Sequence, residues 1–166
     1  MLANDMLIDA YGRIKKEVHS AVAGLSEEDL AYRPGSDANS IAWLVWHIAR
    51  VQDAQIADVA GSGQVWTDGG WAGKFNLPFS ASETGYGMSS SDVAAVQASA
   101  DLLAGYYDAV HARSIEFLQG LKDTDYERVV DTNWDPPVTL AARLVSILSD
   151  DLQHAGQAAY IRGLLS

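Results

Sequence analysis

SIAWLVWHIARVQDAQIADVA, residues 40–60, is the stretch on which the fold turns. It reads as a helix starting near Asn39 or Ser40, with Leu44, Ile48, Val51 and Val59 on its apolar face. His47 lies at the edge of that face, one turn before Val51. A second stretch, TLAARLVSILSDDLQHAGQAAYIRGLL (139–165), reads as a helix capped by Thr139 and ending near Gly163. It carries Asp150, Asp151 and His154. Ionisable groups on a core-facing surface are expensive unless they are paired or bound to a metal. Two such clusters, distant in sequence but able to meet between packed helices, predict one divalent-metal site.

Outward from these two helices, residues 2–23 follow a rough helical period through Leu2, Met6, Leu7, Ile14, Val18 and Val22. LSEEDL (25–30) predicts a short turn capped by Ser26, and YRPGSDANS (32–40) is a connector. Residues 61–90 are rich in Gly, Ser and aromatics, long for a helix–helix connection, and long ordered loops are often functional. A third long helix is expected from Ser90 or Ser91 to Gln119 or Gly120, with a second crossover over 121–138. Short accessory strands fit 66–80 or 124–134, where VVDTNW reads extended. The expected fold is all-α: a four-helix bundle with long crossover loops, in one domain spanning residues 1–166.

Composition agrees. A chain of 166 residues that is 48% hydrophobic can bury a sizeable core. The absence of cysteine removes disulfides, thiolate ligands and a cysteine nucleophile. The net charge of −11 argues against nucleic-acid and anionic-membrane partners. The N-terminus lacks the pattern of a signal peptide, and no apolar run approaches the roughly 18 residues of a membrane span. A cytoplasmic protein is expected.

Asp150 and His154 are four apart and share a helix face, the spacing that lets two ligands reach one ion. His47 would supply the third from across the bundle. Imidazole and carboxylate donors suit Zn, Ni, Fe, Co or Mn, and three ligands leave positions open. The bland readings stand beside this one. His47 and His154 are equally readable as hydrogen-bonded interior histidines, and the aspartates as surface acids pairing with Arg143 or Arg50. On a helical wheel Asp151 lies nearer the centre of the apolar face, Asp150 nearer His154, so either can ligate while the other orients an imidazole. His19 and His111 read as structural or surface residues, with His111 able to approach the site from mid-helix. Trp43, Trp46, Trp66, Trp71 and Trp134 are candidate pocket walls. Arg50 and Arg162 are candidates for holding a substrate carboxylate, Arg162 equally for a helix cap, and Asp53, Asp151 and Glu83 are outside candidates for a general base.

SIAWLVWHIARVQD (40–53) and DLQHAGQAAYIRGLL (151–165) resemble the DinB/YfiT-like superfamily of metalloenzymes, which includes relatives of mycothiol-dependent maleylpyruvate isomerase and bacillithiol transferases. The resemblance spans nearly the whole chain. Its strongest part is H-x-G-Q-x-x-Y-x-R-G, met here by His154, Gly156, Gln157, Tyr160, Arg162 and Gly163. It implies a four-helix bundle, a metal held by three histidines, often Zn or Ni, and frequent homodimers. His47 matches the first histidine and His154 the last, while the middle one falls on Asp150. That departure gives either a harder site of two histidines and one carboxylate or a site that has been lost. The resemblance implies activation of a low-molecular-weight thiol that attacks a small-molecule electrophile, in S-transfer or thiol-assisted isomerisation. A metal-dependent hydrolase and a non-catalytic helical-bundle stress or binding protein are the competing readings.

Overall fold

The structure, a computed structural model, describes residues 3–166, so Leu2 lies outside the described residues. In chain order the elements are α1 (Ala3–Val22), α2 (Glu27–Ala31), α3 (Ile41–Ala60), α4 (Val65–Asp68), α5 (Trp71–Phe75), α6 (Ser90–Ala95), α7 (Ala100–Gly120), a 3-10 turn (Asp123–Glu127), β1 (Val129–Asp131), β2 (Val138–Thr139) and α8 (Leu140–Leu164). The long helices α1, α3, α7 and α8 form the bundle. α3 packs between α7 and α8, and α1 closes the far side against the same two helices. The expected all-α bundle is therefore the observed one.

α3 is the most enclosed helix, with every residue from Ile41 to Asp53 buried. Two neighbouring helices cover part of it, and the 61–99 crossover covers the rest. That explains why its sequence is apolar on nearly all sides rather than on one stripe. Ser40 starts it by accepting the Trp43 backbone N–H, and Gly61 ends it in the left-handed conformation, φ 65°. Leu44 and Ile48 are fully buried, each such side chain contributing about 1.5–3 kcal/mol of transfer free energy. α8 is capped by Thr139, whose hydroxyl accepts the Ala142 N–H.

Three sequence expectations change. The single long helix over 90–120 is two helices, because Ser99 caps α7 by accepting the Leu102 N–H and Val96 turns extended. The break also buries Val96 and Ala98 in the core. The region 66–80 holds the helical turns α4 and α5 rather than strands; they place Trp66 and Phe75 against Tyr106. The extended reading of VVDTNW holds for its first half only, where β1 pairs antiparallel with β2 and joins Val129 to Thr139 at the start of α8. No described helix is long and apolar enough to cross a membrane.

Candidate metal centre

His47 sits two turns into α3, facing α8 across the bundle. Asp150 and His154 sit one turn apart on α8, so the packing of these two helices brings all three together. His47 Nε2 lies 3.7 Å from Asp150 Oδ2, and His154 Nε2 lies 3.5 Å from Asp150 Oδ1. All three ligand atoms fall within 4.8 Å of one another. Ligands about 2.1 Å from a tetrahedral ion are about 3.4 Å apart. The two carboxylate–imidazole separations are close to that edge and too long for strong hydrogen bonds.

Each imidazole spends its other nitrogen elsewhere. His47 Nδ1–H donates to the Thr84 carbonyl at 2.5 Å, and His154 Nδ1–H donates to Gln157 Oε1 at 2.9 Å. Both arrangements select the tautomer that leaves Nε2 with a free lone pair. Asp150 Oδ2 is buried with no hydrogen-bond partner. A carboxylate set between two such nitrogens, with one oxygen orphaned, fits a divalent cation and is costly without one. The mixed nitrogen and oxygen donor set is one that Zn, Ni, Fe, Co and Mn accept.

The electrostatics follow from the same contacts. Burial pushes the His47 imidazole below its ordinary pKa, which favours the neutral, ligating form. His154 is held above the ordinary value, first by the Asp150 carboxylate beside it. Asp150 is held correspondingly low by His154, against the opposing effect of burial. Trp43, one turn before His47, stacks on its ring at 4.5 Å and 14° and meets His154 edge-on at 6.1 Å. On the opposite side the loop passes directly over His47. A Cβ at Gly85 would lie 2.5 Å from His47 Nδ1, and φ is +102°, so only glycine lets Thr84 reach the ring.

The remaining candidates sort differently. Asp151 turns away from the triad into the bundle, fully buried, with both oxygens unpartnered. Burial, then the charge of Asp150, pushes its carboxyl well above the usual range. Neither aspartate pairs with Arg143 or Arg50. Arg143 lies 3.1 Å from Asp131, and Arg50 lies 3.8 Å from Asp53.

Arg50 does not hold a substrate carboxylate. It is 0% exposed and donates to the carbonyls of Glu83 and Ala81 and to Gln64 Oε1. Arg162 donates to the Ala21 carbonyl and so caps the end of α1 rather than its own helix. Asp53 is no base: it accepts from the backbone N–H groups of Val65 and Trp66 and from the Tyr106 hydroxyl. Glu83 contributes its backbone carbonyl to Arg50. His19 bonds Asp108 on α7 at 2.7 Å, and His111, beside Lys15 and Asp108, lies outside the triad.

Of the five tryptophans, Trp43 alone touches the triad. Trp46, Trp66 and Trp71 pack in an aromatic cluster with Phe79 and Tyr106, and Trp134 is 66% exposed. Gln157 and the Thr84–Gly85 step also belong to the site, beyond the residues expected there. H-x-x-Q on one helix face was the available signal for the first. A glycine in an aromatic-rich loop was the only signal for the second.

A family model of the DinB superfamily matches residues 10–158. A crystal structure of a conserved protein of locus from Enterococcus faecalis superposes with a TM-score of 0.92 at 30% sequence identity. It covers 98% of this chain and 96% of that one. No curated protein matches.

Proposed function

Because the chain belongs to the DinB superfamily, we propose that it is a divalent-metal-dependent enzyme, with His47, Asp150 and His154 as the protein ligands and Zn or Ni as the ion. The observation that carries this reading is the convergence of two outward-anchored imidazoles on the Asp150 carboxylate, one oxygen of which is buried and unpartnered. Bound there, the ion supplies Lewis acidity and favours the anionic form of a thiol or water.

The chain has no cysteine, so a sulfur nucleophile would come from a low-molecular-weight thiol. Its sulfur would attack the electrophilic carbon of a small substrate, forming a C–S bond as the leaving group departs, or adding reversibly to allow isomerisation. Trp43 screens one side of the triad from water, while the partly exposed Asp150 leaves a side open to substrate. The reading extends to a homodimer, as the family resemblance implies, and to a cytoplasmic location.

The test is metal content by plasma mass spectrometry on untagged protein, beside three single variants. About one ion per chain is expected. His47→Ala, Asp150→Ala and His154→Ala should each lose it, while Asp150→His should keep it. A chain that stays metal-free after reconstitution overturns the proposal. Turnover of small esters without any thiol would move it to the hydrolase reading.

A further inference from the structure

A groove runs along α8 beside the triad, adjoining it at Gln157. Gln153, Gly156, Gln157, Tyr160 and Ile161 follow Asp150 at one-turn steps along α8 and form one wall. Pro34 and Ala38 of the connector form the other, with Leu44 of α3 at the base. The cavity measures about 630 Å³, within the range of small-molecule sites. Gln157 belongs to both places: it lines the groove, and its amide oxygen holds His154. The connector wall is fixed in advance. Arg33 donates to the carbonyls of Ser36 and Ala38 and, across the molecule, to Ser90.

The charge on this groove is one-sided. Among the described residues Asp37 is the one charged group on its wall. The nearby arginines are already committed, Arg33 to carbonyls and Arg162 to Ala21. The chain as a whole carries −11. A carboxylate or phosphate seated in the groove itself would find no cationic side chain on its walls and a repelling field. Apolar walls favour an apolar occupant.

We propose that this groove binds the uncharged, apolar body of the substrate, an aryl or branched alkyl group, and presents its reactive end to the triad. The proposal rests on the triad being the reaction centre. It narrows the substrate class to neutral electrophiles, and it makes Gln157 the link between an occupied groove and the orientation of His154.

The groove is testable without turnover. A Cβ at Gly156 meets no heavy atom within 4 Å, so Gly156→Leu projects into the groove while also improving helix propensity. 1-Naphthalenemethanol and 1-naphthoate, matched in shape and differing in charge, are titrated calorimetrically onto chelator-treated protein at low salt. The alcohol should bind at least about tenfold more tightly than the acid, and Gly156→Leu should weaken the alcohol by about tenfold or more. Equal or tighter binding of naphthoate overturns the proposal, as does unchanged alcohol binding in Gly156→Leu. Metal uptake is measured in parallel. A Gly156→Leu chain that keeps its metal and loses the alcohol supports the groove as a separate subsite. Alcohol binding to a chain that takes up no metal would sink the proposed function and leave the groove as a ligand site.

Discussion

One turn apart on α3, His47 and the Arg50–Asp53 pair sit in equally buried surroundings, yet the chain treats them in opposite ways. Asp53 is closed on itself: two backbone N–H groups and the Tyr106 hydroxyl occupy its oxygens, and Arg50 lies beside it. Arg50 in turn is consumed by carbonyls and Gln64. His47 and His154 are satisfied only on their outer nitrogens, and their inner atoms face the Asp150 carboxylate across gaps too long for strong hydrogen bonds. Burial therefore does not distinguish a structural polar cluster from a binding one. The direction of the unpaired atoms does. A fully satisfied network rigidifies, whereas converging lone pairs without partners reserve space for a ligand.

The largest expected effect lies on the closed side. Asp53→Ala would leave Arg50 without its counter-charge and strip partners from Val65, Trp66 and Tyr106. A loss of about 3–5 kcal/mol in urea denaturation is expected. A loss below about 1 kcal/mol would mean the network is decorative, and the contrast with the triad would fail. On the open side, Gln157→Ala should lower metal affinity about 10–100-fold by freeing the His154 ring. Because Gln157 is exposed, unfolding free energy should move by no more than about 0.5 kcal/mol. Unchanged affinity in a competitive chelator titration would show that His154 needs no orienting partner.

The smallest effect concerns His111, whose Nδ1 is buried and unpartnered but converges on nothing. Burial lowers its pKa, helped by Lys15, against the pull of Asp108. The unfolded chain therefore takes up a proton near pH 6.5 that the folded chain resists, so stability falls as pH drops through that range. His111→Gln cannot titrate and should gain about 0.5 kcal/mol on the wild type between pH 7.5 and pH 5. A gap that does not change with pH would show that burial of this imidazole has no energetic consequence.

Most of the bundle was legible because its signals are local. Ser26, Ser40 and Thr139 announce helix starts through their own hydroxyls, and the structure uses all three as caps. The split between α6 and α7 was not legible. SSDVAAVQASADLL reads through as helix, and the break reflects Ser99 capping together with burial of Val96, a tertiary gain. The meeting of His47, Asp150 and His154 followed from spacing and a family resemblance. The choice between Asp150 and Asp151 did not, since one residue of rotation separates the triad from the core. Arg50 and Asp53 resembled site residues because sequence shows their charge and hides their partners. The Thr84 contact was invisible for the same reason: a backbone carbonyl has no letter.

That last contact has a practical consequence. His47 and Arg50 grip the crossover through main-chain oxygens of Ala81, Glu83 and Thr84. Nearly any amino acid can present those oxygens, so the loop's side chains are decoupled from the centre they help hold. Gly85 is the exception, fixed by its φ and by the ring beneath it. A library randomised at the exposed Ala81 and Tyr86 with Gly85 kept would therefore vary the surface beside the triad without disturbing its anchoring, which makes this loop the natural place to re-engineer selectivity.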